Sequence, residues 1–367
     1  MSVSDKITPA GAGWLLYEEG QQQGSSPFLM YRSQIKNPDW TVESMLFENS
    51  TMSREFPTLL GVADNGTAAG LERWLYLTQA LQARCVGGSV SAYRQHTEVM
   101  GALNWAVNSI WVGPAWGSVS HDGSWKALMY RLRHVFAPVL LSFIQPVSAA
   151  DAGEAAINTE CADGHTCLHL SNNLHKDVTE QCSLHVREFS TGKSAYVQAF
   201  TATAPAVGGV LAGSFPTAGL LQKAGCAAHE CWFTAACVGG ASGSFEAQPH
   251  FPTSLSEAKL LPVAVTVSNA KTSATESTGS AAVRFSVSVN TTALYVFFSS
   301  ETPGKFSDNT LTLLPGKPTS LSFEPSVTDA EGGGDAVDLV AQFLASTRVY
   351  TMNNKHPTHL ARGATGM

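Results

Sequence analysis

Apolar and polar positions change rhythm once along the chain, near residue 147. Before it the rhythm is helical. Residues 71–86 (LERWLYLTQALQARCV) place Leu71, Trp74, Leu75, Leu77, Thr78, Leu81 and Cys85 at helical spacing, with no glycine or proline until Gly87-Gly88. That pattern predicts a helix stopped by the glycine pair. The small and apolar run 100–107 (MGALNWAV) reads as a buried strand. Gly113-Pro114 opens a loop, and 125–136 (WKALMYRLRHVF) is again helical, ending before Pro138. Helix, strand, loop and helix in this order fit an α/β layer. After residue 147 the period shortens to two. The runs 195–203 (AYVQAFTAT), 263–267, 283–289 (VRFSVSV), 294–298 (LYVFF), 310–314 and 319–323 are separated by Gly, Pro, Ser and Asn, which predicts β-sandwiches. Residues 253–261 before Pro262 read as a linker between two of them. The stretch 268–282 has no large apolar residue and reads as a loop. The tail, 352–367, reads as disordered.

Composition narrows the picture. With 367 residues, 44% hydrophobic and 14% charged, the chain suits two or three packed domains rather than disorder. The net charge of -7 and the absence of a Lys/Arg stripe argue against nucleic acid as a partner. No run reaches the roughly 18–20 apolar residues that span a bilayer, so no membrane partner is expected. The first nine residues are polar, with no signal-peptide core.

Six of the seven cysteines fall between Cys161 and Cys237. Such crowding suits a disulfide-bearing domain in an oxidising compartment. Cys226 is expected to pair with Cys231 or Cys237, and Cys182 with a partner in the same domain. Cys161, His165, Cys167 and His169 lie close together, but their spacing matches no standard zinc motif. Neither a metal nor any other cofactor is expected. Asn49, Asn65 and Asn290 each begin an Asn-X-Thr sequon and are candidate N-glycan acceptors.

Four stretches resemble the β-mannosidases of glycoside hydrolase family 2. Residues 100–116 (MGALNWAVNSIWVGPAW) resemble the family pattern MGALYWQLNDIWQAPSW. Residues 123–130 (GSWKALMY) and 136–138 (FAP) resemble its continuation, GGKWKMLHY and FFAP. Upstream, 76–86 (YLTQALQARCV) resembles YLTQVMQAQCV; far downstream, 303–309 (PGKFSDN) resembles PGRFSDN. The order is colinear over roughly residues 70–325.

The resemblance implies a fold class of α/β plus all-β. Residues 1–145 would be the C-terminal remnant of a TIM (β/α)8 barrel, with 101–107 as its eighth strand and 125–136 as the following helix. Two immunoglobulin-like sandwiches would follow at 146–252 and 260–350, then a polar tail at 351–367. It further implies hydrolysis of terminal non-reducing β-D-mannose by a retaining, two-carboxylate mechanism, in a lysosomal or secreted parent protein. Trp105, Asn108, Trp111 and Trp116 would fall at the strand end and the loop beyond it, where barrel enzymes place their sites. Aromatic rings there would cover the apolar faces of sugars. Tyr17-Glu18-Glu19-Gly20-Gln21-Gln22 keeps the Glu, Gly and Gln of the family's SEYGFQSW motif, which makes Glu18 the candidate nucleophile. No Asn-Glu pair offers the acid/base in a recognisable motif. The family's Gln and Asp are Ala106 and Ser109 here, so two polar groups are lost. The expectation for this chain alone is therefore inactivity. The competing reading is a non-catalytic relative whose β-sandwiches bind a glycan or a protein.

Overall fold

The computed structural model describes residues 68–96, 98–110, 116–144, 161–240, 243–274, 281–326 and 338–360. In chain order the elements are α1 (Ala68–Tyr93), α2 (Ala127–Val135), β1 (Val139–Phe143), β2 (His165–Asn172), β3 (Val178–Glu188), β4 (Ser194–Ala204), β5 (Gly208–Pro216), α3 (Thr217–Ala224), β6 (Cys231–Gly240), β7 (Gly243–Glu246), β8 (Val265–Ala274), β9 (Ala281–Val289), β10 (Ala293–Ser300), β11 (Gly304–Phe306), β12 (Leu311–Leu313), β13 (Thr319–Pro325), α4 (Leu339–Ser346), β14 (Thr347–Tyr350) and β15 (Thr358–His359). The chain divides into two compact units. One takes Arg84–Asn104 and Arg131–Leu260. The other takes the described residues up to Ala83, then Trp105–Tyr130 and the chain from Leu261 onward.

In the first unit two antiparallel sheets, β1-β2-β5 and β4-β3-β6-β7, form a sandwich. The alternation in β3 explains its burial. Val178, Cys182, Leu184 and Val186 point inward, while Thr179 and Gln181 face solvent. Their inward partners include Leu141, Leu168, Phe233 and Ala235. Burying each of the larger side chains contributes roughly 1.5–3 kcal/mol. Three disulfides join Cys161 to Cys167, Cys182 to Cys237, and Cys226 to Cys231. The last two agree with the pairing expected from cysteine clustering. The first uses both thiols of the Cys/His cluster, so neither is available as a thiolate ligand.

The glycine pair predicted to stop α1 does not stop it. The helix runs on to Tyr93. A Cβ on Gly87 would lie 2.4 Å from Arg131 Cγ, so this glycine admits a neighbouring side chain instead of capping the helix. Beyond the helix, the Arg94 guanidinium donates to the carbonyls of Val135 and Ala137, each at 2.6 Å. It thereby satisfies carbonyls that the end of α2 leaves without helical partners.

In the second unit β11-β13-β9-β8 and β12-β10-β14-β15 form the other sandwich. Its core is aromatic: Phe285, Phe298, Phe306, Phe323 and Phe343 all touch. The first half of α1 docks here through polar groups. Buried Arg73 donates to the Thr351 carbonyl at 2.9 Å, and Tyr76 Oη to the Tyr295 carbonyl at 2.7 Å. Glu72 accepts from Arg348 at 2.6 Å and from the Tyr350 hydroxyl. Burial pushes the Tyr76 and Tyr350 phenols up, so both stay neutral donors.

Three further expectations are corrected. The stretch read as a loop at 268–282 is strand up to Ala274 and again from Ala281. Lys271 pairs with Arg284, Thr272 with Val283, Ser273 with Ala282 and Ala274 with Ala281. β8 is an edge strand, largely outside the core, so its ladder needs no large apolar residues. Residues 352–360 are ordered. Met352 and Leu360 are buried, and Asn353 donates to the carbonyls of Leu261 and Thr292. Residues 101–107 form no strand, and among the described residues no parallel barrel sheet is formed. A strand exists only through its ladder, and among the described residues no strand pairs with this run along its length.

Candidate functional site

Among its described residues the segment read as sugar-facing is mostly exposed. Trp105 is 79% exposed and Ile110 77%; the Trp105–Ala106 peptide is cis. Asn108 is also exposed, and its Nδ2 donates only at 3.4 Å, to the Ser109 carbonyl. What fixes the segment is a short parallel contact with residues 118–119. The N–H groups of Ser118 and Val119 donate to the carbonyls of Ala106 and Val107 at 3.2 and 2.8 Å, and Ser109 N–H donates to the Val119 carbonyl at 2.9 Å. Gly117 permits this approach: a Cβ there would sit 2.9 Å from the Asn108 carbonyl carbon and 3.0 Å from Ser109 Oγ. A tight turn follows, in which Asp122 Oδ1 accepts from Ser124 N–H and Gly123 takes the left-handed conformation at φ 84°.

Trp116 is half exposed, and its carbonyl accepts from Gln82 Nε2 at 3.2 Å. Trp105, Asn108 and Trp116 are therefore all exposed. Trp111 and Glu18 lie outside the described residues. Trp125 has a different role: it packs edge-on against Tyr130 at 5.3 Å. Tyr130 in turn accepts the Phe306 N–H at 2.9 Å, so this part of the segment joins the aromatic core.

A cleft of about 40 Å³ opens in the same unit, lined by Gln79, Ser120, Ser124, Lys126, Phe298 and Ser300 among others. It has room for something on the scale of a water molecule, and Trp105, Asn108 and Trp116 do not line it. Sequence reading missed these buried polar groups, as it missed the Arg73 and Glu72 contacts. A charged residue inside a helical run was the only available signal. Among the described residues no group of three or more His, Cys, Asp or Glu side chains is placed to hold a metal.

Comparison with known proteins fits this arrangement. A family model for the immunoglobulin-fold domain of mannosidases matches residues 264–354, the span of β8 to β14. The β-mannosidase of Bos taurus is 32% identical over 270 residues, which is 68% of this chain and 28% of that protein. The β-mannosidase of Mus musculus is 29% identical over 269 residues, with the same shares. The chain belongs to the β-mannosidases of glycoside hydrolase family 2, as a C-terminal region. It spans less than a third of the length of these β-mannosidase relatives. Two solved structures share its fold. The β-D-mannosidase of Dictyoglomus thermophilum has a TM-score of 0.55 at 14% identity, covering 83% of this chain and 35% of that one. The exo-chitosanase of Amycolatopsis orientalis has a TM-score of 0.54 at 14% identity, covering 84% and 36%.

Proposed function

We propose that the β-mannosidase to which this region belongs removes terminal non-reducing β-D-mannose from oligosaccharides by the retaining mechanism, in a lysosomal or secreted setting. Trp105, Asn108, Trp111 and Trp116 face the sugar, and Glu18 is the nucleophile. The observation that carries this reading is the similarity to β-mannosidases over 68% of the chain, beside which Trp105 and Trp116 lie open at the surface. The retaining reaction needs one ionised carboxylate at the anomeric carbon and one protonated carboxyl at the leaving oxygen. One carboxyl cannot hold both states in the same step, and Glu18 alone has a motif. The isolated chain should therefore show no turnover of a chromogenic β-mannoside above background. Turnover that disappears in Glu18→Gln would overturn that expectation. Grafted in place of the matching region of the bovine enzyme, the chain should support turnover, and Trp105→Ala should lower kcat/KM in that chimaera by about 10–100-fold, or roughly 1.4–2.7 kcal/mol. A folded but inactive chimaera would favour the non-catalytic, binding reading.

The three disulfides support an oxidising compartment, and with it glycan attachment. Asn49 and Asn65 lie outside the described residues. Asn290 is exposed between β9 and β10, and its Oδ1 accepts from Ala264 N–H at 2.8 Å. That bond leaves Nδ2 for the sugar linkage. Peptide mapping of secreted protein before and after amidase treatment should find Asn290 converted to Asp. An unmodified peptide in disulfide-bonded, secreted material would exclude it.

A further inference from the structure

We propose that the turn Arg94–Gln95–His96 and the strand residue His169 form an acid-released clasp, which holds the end of α1 on the outer face of the β1-β2-β5 sheet. Every contact lies inside one unit. Gln95 Nε2 donates to Ser142 Oγ at 3.0 Å and to the Phe143 carbonyl at 3.3 Å. Ser171 Oγ lies 2.9 Å from the Arg94 carbonyl and 3.1 Å from His169 Nδ1. A carbonyl can only accept, so the single hydroxyl proton of Ser171 goes to Arg94. His169 must then be the donor to Ser171, which fixes the Nδ1–H tautomer and leaves Nε2 as a bare lone pair. The ring is buried against β5, where a Cβ on Gly209 would meet Cε1 at 2.4 Å and Nε2 at 3.0 Å. Only glycine leaves room for it. His96 Nε2 is also enclosed, with no hydrogen-bond partner among the described residues.

The clasp is built for a neutral imidazole. β1 (VLLSF) and β5 (GGVLAGSFP) bring no ionisable side chain to it. On β2, His165 is tied to Ser214 Oγ. From the helix end come Arg94 and His96; Glu98, two residues further, is exposed. A proton on His169 Nε2 would be a buried cation facing a cation and a second imidazole. Burial first, then His96 and Arg94, accordingly hold His169 down at about 4. In the open state the ring returns to about 6.5. Between these values the open form takes up a proton that the closed form refuses. The clasp is therefore at full strength above pH 6.5 and weakens as pH falls toward 4. From pH 7 to pH 4.5 the opening constant should rise roughly 50-fold.

Amide hydrogen exchange on the full chain tests this. Protection of residues 90–96 should fall roughly 50-fold between pH 7 and 4.5, while the β9 and β13 amides keep theirs. In His169→Asn, whose amide can donate to Ser171 and does not titrate, that extra loss should vanish. His250 stacks on Phe143 and is also held at about 4. It titrates in both proteins, so the difference isolates His169. If the variant does not fold, the imidazole signal of His169 in the wild-type chain decides: it should titrate well below 6. Protection that is independent of pH, an equal loss in His169→Asn, or titration near 6.5 would each overturn the proposal.

Discussion

Phe343→Ala should lower the stability of the C-terminal sandwich by about 3–5 kcal/mol. Phe343 is 1% exposed and comes from α4, from which it enters a core built largely of strand residues, Phe285, Phe298, Phe306 and Phe323 among them. Its ring lies 4.9 Å from Phe285, 5.5 Å from Phe323 and 6.3 Å from Phe306. Truncation removes the ring from three partners at once, and the strands around it are fixed by their ladders and cannot collapse into the space. α4 itself is eight residues long, too short to be helical without tertiary support. Its other anchor is Asp338, whose Oδ1 accepts from Val340 and Ala341 N–H at 3.1 and 3.2 Å. That cap is worth about 1 kcal/mol. Urea unfolding should therefore rank Phe343→Ala well above Asp338→Ala, with Phe343→Leu between them. A smaller midpoint shift for Phe343→Ala than for Asp338→Ala would show that the ring is not what holds the helix.

How far the sequence could be read depends on where each signal is stored. The strands over 195–203, 283–289 and 294–298 were legible because each buries one or both faces, which writes itself as alternation or as an apolar run. β8 beyond Val267 was not legible. Its information lies in backbone pairing with β9, and an edge strand can pair through any residue that has an N–H. Gly87 misled for a related reason: glycine marks both helix ends and close packing, and only Arg131 distinguishes them. The run 101–107 has strand composition, yet it pairs only where residues 118–119 meet it. Arg73 and Thr351 are 278 residues apart, a contact no local pattern records. Within the candidate site, Trp105, Asn108 and Trp116 were found through resemblance. The contacts that hold them, Gly117 on Asn108 and Val119 on Ser109, became visible only in three dimensions.

Replacing Cys182 and Cys237 together with alanine should cost about 4 kcal/mol, the largest loss available from any of the three disulfides. The two residues are direct partners in the β3–β6 register and are 55 apart in sequence. In the folded state the bridge adds little, because the strands it joins already share a ladder. Its effect falls on the unfolded chain, where it forbids the many conformations in which those residues part. Cys161–Cys167 and Cys226–Cys231 close loops with separations of 6 and 5, for which the same reasoning gives only about 2 kcal/mol each. Both Cys182 and Cys237 are buried beside Leu184 and Phe233, so loss of the sulfur atoms adds a packing cost of the same sign. Thermal unfolding of the three double variants under oxidising conditions should place Cys182→Ala/Cys237→Ala clearly lowest. Equal losses across the three would mean that local strain or packing, and not loop closure, sets what each bridge contributes.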